Sequence, residues 1–329
     1  MFEIAFERGY RTNAGDVRGP VWIDLASQLQ SRGDAAKAAR VIAEIDRPTD
    51  LVDVRADKRF ASIVDTDSAR FDVVAAANRR VERLRRAVSL SPRSLEILIA
   101  LAEAEKEAGH LARALAVLDD GLARATSPGA FEDRDQQLNW LHDHRANVLW
   151  RLGRRDESTA ELQLGMAIRE NGLSNVSQVI NLAQRSVAID QPTLALKTLD
   201  RLDAEPSPYG KMAREYVRLA AADELGDQAS MDAALEYLRE HEADAPRILR
   251  DGFVLTGLLD EAARVFIGEL DDPTFRTSAL HAVQQFDDVS SGLTPARWET
   301  YWKRLLARSD VKAAIAKYGR VQRYHLAPL

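Results

Sequence analysis

The chain has 329 residues, of which 46% are hydrophobic and 29% charged, so it can bury a sizeable core and is not disordered throughout. Its length exceeds the usual single globular core and suits two domains or one elongated array whose core grows by addition. A formal charge of −6 argues against a broadly electropositive nucleic-acid binder, and the absence of cysteine excludes disulfides and thiolate metal sites.

Ala and Leu dominate the apolar set and aromatics reach only 6%, which favours helix over strand. No segment has the run of apolar residues needed to cross a bilayer, so no membrane partner is expected. At the start of the chain, Met1 to Arg8 interrupts every apolar pair with a charge and contains no secretory h-region. A cytoplasmic location is the expectation, an exported mature form being the alternative.

A first helical hairpin is expected around Gly33, carried by Trp22, Leu25, Ala26 and Leu29 before the turn and by Ala38 and Ile42 after it. Val54 to Leu90 fills the following gap with a less regular segment and a long basic helix. Its cluster Arg79, Arg80, Arg83, Arg85 and Arg86 reads as a solvated helical face, with an acidic-partner patch as the alternative. Ser91-Pro92 reads as a helix start. Leu98, Leu101, Ala102, Gly109, Ala114 and Leu118 then repeat the first hairpin at identical offsets. Small residues beside the turn let two helices approach closely, and the glycine supplies a left-handed turn.

Further copies follow at Asn139 to Ala167 (Ala146, Leu149, Gly153, Leu162) and Val176 to Leu202 (Leu182, Ala183, Ala195), where Asp190 replaces the glycine. Lys211 to Leu238 (Leu219, Gly226, Leu235) and a shortened Arg247 to Leu270 (Gly257, Ala262, Phe266) complete the series. Ser207-Pro208, Asp272-Pro273 and Thr294-Pro295 each read as an N-cap before a proline at the first helical position. Trp298, Tyr301, Trp302, Leu305 and Leu306 form an amphipathic stripe suited to capping the last hairpin. Gly319 stops a final helix ahead of a basic tail, Arg320 to Leu329, which either packs or stays free.

These offsets resemble the tetratricopeptide repeat: a large apolar residue, a small residue, a turn glycine, an alanine and an aliphatic or aromatic position. The resemblance implies an all-α, right-handed superhelical solenoid of antiparallel hairpins. It divides the chain into an N-terminal extension over 1–20, about six to seven hairpins over 21–290, and capping helices with a basic tail over 291–329.

Signatures of chemistry are missing. Neither GxGxxG nor GxxxxGK[ST] occurs to cradle a phosphate, and there is no GxSxG elbow. His241-Glu242 lacks the second histidine of a zincin, and on a helix His142 and His144 point about 200° apart. Carboxylates at Glu132, Asp133, Asp135, Asp271 and Asp272 sit where they would cap helices. Asn175-Val176-Ser177 matches the glycosylation triplet by accident. No catalytic residue, cofactor or metal is therefore expected.

In the family, the first helix of each hairpin lines a concave groove that holds a peptide. Carried over, its contact positions are Trp140, Asp143, Asn147 and Trp150, then Ser177, Ile180, Asn181 and Gln184, with Tyr216 after them and Glu96, Glu103 and Lys106 before. The tryptophans could equally be core, whereas buried amides at Asn147 and Asn181 must find partners. Asp143 and Ala213 stand where a carboxylate clamp needs basic residues, so no chaperone-tail binding is expected. The resemblance thus implies a non-catalytic scaffold for a protein or peptide, without nucleic acid. The alternatives are a helical-toroid enzyme acting on carbohydrate, which needs two acids converging in one deep pocket, and a sensor subunit reading a peptide or small molecule.

Overall fold

The computed structural model describes residues 2–170, 172–287 and 296–326. They form eighteen α-helices and one pair of two-residue strands. The helices separate into two compact units, with boundaries inside the eighth and the last.

The first unit covers 2–137, 273–287 and 315–326. Its helices are α1 (Phe2–Glu7), α2 (Gly19–Ser31), α3 (Ala35–Ala43), α4 (Pro48–Ala56), α5 (Val73–Leu90), α6 (Leu95–Glu107) and α7 (Leu111–Ala125), followed by the start of α8 (Arg134–Arg151). The second unit continues with α9 (Arg155–Ala167), α10 (Val176–Ala188), α11 (Pro192–Leu199), α12 (Pro208–Leu225), α13 (Gln228–Glu240), α14 (Pro246–Thr256) and α15 (Leu259–Asp271). α16 (Pro273–His281) and strand β1 (Gln285–Phe286) belong to the first unit, and α17 (Ala296–Ala307) to the second. α18 (Ser309–Tyr318) starts in the second unit and ends in the first, where β2 (Arg323–Tyr324) lies.

Six hairpins of the described residues share one turn. Gly33, Gly109, Gly153, Gly226 and Gly257 adopt φ between 68° and 80°, and Asp190 adopts φ 59° in the same role. The residue after each donates its N–H to the carbonyl five positions back, at 2.8–2.9 Å: Asp34 to Leu29, His110 to Glu105, Arg154 to Leu149, Gln191 to Ser186, Asp227 to Ala222 and Leu258 to Phe253. This closure satisfies orphan carbonyls at the end of the first helix and reverses the chain.

Five residues beyond the turn, Ala38, Ala114, Ser158, Ala195 and Ala262 are fully buried, small side chains where the paired helices touch; after Gly226 the position is Met231, which is half-buried. Ser158 keeps its hydroxyl satisfied by donating to the carbonyl of Ala146 at 2.7 Å. The hairpins are tetratricopeptide-like in this geometry: each reverses through the same turn, and in the second unit the first helix of one pair also packs on the first helix of the next, α10 on α12 and α12 on α14.

Helix starts depart from expectation in one place. Ser207 caps α12 by accepting from the N–H of Gly210 at 3.1 Å, and α16 begins at Pro273 as expected. Ser91-Pro92 does not start a helix: Ser91 ends α5, and α6 begins at Leu95 with Ser94 as N-cap. Asp133 completes that cap from a distant point in sequence, accepting from the N–H groups of Leu95 at 2.7 Å and Glu96 at 2.9 Å. Thr294-Pro295 lies outside the described residues.

In the second unit α17 packs on α14 and α15 with Leu305 buried, and Trp302 meets Phe266 edge-on at 5.6 Å between ring centroids. Tyr301 lies against Gly257 so closely that an added Cβ would be 3.1 Å from its ring. In the first unit the basic tail packs. β2 pairs in parallel with β1, and Tyr324 and Leu326 join the apolar cluster of Trp22, Leu25, Ile42 and Leu51. Gly319 bridges to Asp57 of the same unit, where Leu280 leaves no room for a side chain.

The basic cluster of α5 is not a uniformly solvated face. Arg80 is buried and held by carboxylates of Asp16, Glu107 and Glu103, while Arg79, Arg85 and Arg86 remain exposed. A helix spacing that places arginines on adjoining faces says nothing about which face the neighbouring helices will cover.

Candidate binding surface

The positions carried over from the repeat pattern fall on first helices of both units. In the second unit, α8 contributes Trp140, Asp143, Asn147 and Trp150, and α10 contributes Asn181 and Gln184. Steps of three and four place each set along one side of its helix.

Asp143, Asn147 and Asn181 answer one another. Asp143 is buried, and its two carboxylate oxygens accept from the amide of Asn147 at 3.1 Å and from that of Asn181 at 2.8 Å. Arg185, one turn beyond Asn181, donates from Nη2 to the amide oxygen of Asn147 at 2.9 Å. The result is a polar seam that ties α8 to α10. The requirement that a buried amide find a partner is met within the seam.

Trp150 is buried at the foot of this seam, with the Arg185 guanidinium 4.2 Å and the Arg155 guanidinium 4.7 Å from its ring centroid. Arg185 is only 4% exposed, and its Nε and Nη1 have no hydrogen-bond partner among the described residues. Burial, opposed by the charge of Asp143, pulls its pKa down to about 10. Trp140 and Gln184 stand exposed on the same two helices, and Tyr216 on α12 is half-buried. Burial first, then the charge of Asp251, pushes the Tyr216 phenol up.

Glu103 and Lys106 lie on α6 of the first unit. Glu103 is drawn into the buried arginine network, 3.4 Å from both Arg80 and Arg47, whereas Lys106 is half-buried. Sequence reasoning overlooked Arg185. It shares a face with Asn181 at four-residue spacing, and that periodicity would have found it.

Carboxylates that could serve acid–base chemistry are clamped. Asp16, Glu96 and Glu103 line one cavity of about 490 Å³ in the first unit. Burial pulls Asp16 up, but its bonds to Arg80 and Arg83 hold it below the ordinary carboxylate value. The acids that burial pushes up to about 7, Asp50 and Glu269, do not line that cavity. Among the described residues no cluster of three or more His, Asp or Glu side chains is arranged to hold a metal ion. No described helix is long and apolar enough to cross a membrane. His142 bonds to Glu161 at 2.7 Å.

No protein-family model and no curated protein matches the sequence. Among solved structures, the chain is similar to PilW, a widely conserved type IV pilus biogenesis factor, at 15% identity over 70% of this chain and 96% of that one, TM-score 0.41. It is similar to a putative kinesin light chain of Podosopora anserina with nearly identical TPR-like repeats, at 16% identity over 68% and 98%, TM-score 0.41. The C-terminal part of a TPR repeat-containing protein from Cytophaga hutchinsonii matches at 14% identity over 89% and 98%, TM-score 0.40.

Proposed function

We propose that this chain is a non-catalytic interaction module that holds an extended or helical segment of a partner protein along α8 and α10. The observation that carries this reading is the exposed ring of Trp140 and the exposed amide of Gln184 on two helices tied by an ordered polar seam, in which Arg185 is stacked on Trp150 and braced by Asn147. The Asp143–Asn181 bond pre-orders the seam, so binding would cost little further side-chain entropy. Trp140 and Gln184 supply an exposed ring and an exposed amide beside it, the pairing a peptide surface uses.

The carbohydrate-enzyme alternative needs one carboxylic acid kept protonated opposite a second carboxylate. In the cavity that gathers three acids, Asp16 and Glu103 are instead committed to Arg80.

A photo-crosslinking amino acid placed at Gln184, and as control at the exposed Glu236 on α13, tests the assignment in the source cell. Peptides of defined partner proteins should be captured from position 184 and lost when Trp140→Ala is added. Equal capture from both positions, or capture indifferent to Trp140→Ala, would sink the surface.

A further inference from the structure

A second charged feature lies in the first unit, away from the polar seam in sequence. A cleft of about 610 Å³ is lined by six arginines against three carboxylates, in a chain whose net charge is −6. Such local excess is not a by-product of overall basicity.

Some of that charge is neutralised where it stands. Arg11 pairs with Glu44 at 2.7 Å, Arg83 with Asp16, and Glu82 turns to Arg85 at 2.8 Å. Three guanidiniums are left without a carboxylate contact among the described residues. Arg70 donates to backbone carbonyls of Ala43 and Ile45, Arg79 reaches only carbonyls at 3.4 Å, and Arg86 has no hydrogen bond or ion pair there. Burial, and the like charge of Arg79, hold the Arg70 guanidinium below its ordinary value in spite of Asp46 and Glu44.

Spacing selects among anions. Arg79 and Arg86, seven residues apart on one side of α5, are separated by about 10 Å along the helix axis. Charges strung over that length suit several carboxylates on an extended chain better than one compact phosphate. No aromatic side chain lines the cleft for a nucleic-acid base to stack upon. Arginine stems offer apolar walls to a peptide backbone, and their forks grip carboxylates bidentately.

We infer that the cleft between α3 and α5 is a docking site for an acidic peptide, a run of Asp and Glu side chains on a partner protein. The test is a titration of fluorescein-labelled octaglutamate by anisotropy on the full chain. Saturable binding that weakens with salt is expected, about tenfold weaker in Arg79→Ala/Arg86→Ala and unchanged in the control Arg201→Ala. Arg79 and Arg86 are exposed, so helical circular dichroism should persist; Asn78→Glu, which adds a negative charge to the same wall, gives an independent loss of binding. Absence of saturable binding, or binding that ignores both variants, overturns the inference. Tighter binding of a labelled single-stranded oligonucleotide of eight nucleotides overturns the choice of a peptide.

Discussion

Arg80 donates from Nη1 to Oε2 of Glu107 at 2.7 Å, with both side chains buried. Asp16 and Glu103 complete its shell, and Arg47 shares Glu107 at 3.4 Å. Burying one charge among several is tolerable only while the set is complete. Arg80→Met should therefore destabilise the first unit by about 3–5 kcal/mol, because it removes the buried cation from Asp16 and Glu107 and leaves them only Arg83 and Arg47. Hydrogen exchange read by mass spectrometry should show α5 and α6 losing protection while α12 to α15 keep theirs. Uniform loss, or none, would contradict the network's local role.

Asp190 stands at φ 59° where the other five hairpins place glycine. A left-handed conformation costs a residue with a Cβ roughly 1 kcal/mol. Asp190→Gly should raise stability by about that amount in urea unfolding, and Gly153→Ala should lower it by about 1–2 kcal/mol. An Asp190→Gly variant that is less stable would mean that the carboxylate makes a compensating contact.

Asp50 is buried beneath Gly19, and its Oδ2 has no partner among the described residues. Burial raises its pKa from 3.8 to about 7 against the pull of Arg47. The folded state then holds a proton that the unfolded chain has released, so this group's contribution declines as pH rises from about 4 to 7. Asp50→Asn should remove that slope and gain of order 2–4 kcal/mol at about pH 8, little at about pH 4. Thermal midpoints of both proteins across that range decide it; parallel curves would refute the shift.

Tyr324 in β2 is buried against Phe286, ring centroids 5.8 Å apart, and its hydroxyl donates to Gln322 Oε1 at 2.7 Å. Tyr324→Ala should cost about 3–5 kcal/mol of stability, as for a core aromatic. Limited proteolysis would then cut within 320–326 before any other described segment. A resistant variant would show that Leu326 alone anchors the tail.

The hairpin turns were legible because they rest on local chemistry. The αL residue, the small residue five positions later and the aliphatic after that act within one or two helical turns of each other. The same locality exposed Asp190 as a glycine substitute and the Trp298–Leu306 stripe as a cap. Where partners come from far along the chain, reading failed or stayed open. Ser91-Pro92 looked like a helix start because the Asp133 carboxylate that helps set the true one lies 38 residues beyond Leu95.

By itself the sequence determined an all-α chain of tetratricopeptide-like hairpins and where each one turns, since turn closure and close helix approach depend on neighbouring residues. Tertiary structure alone decided that Arg80 is buried while Arg79 and Arg86 face solvent, that Asp143, Asn147 and Asn181 satisfy one another, and that the basic tail enters the apolar cluster around Trp22. Each of those outcomes turns on which distant surface covers a side chain, and burial of a charge or an amide is a property of the assembled neighbourhood that periodicity does not encode.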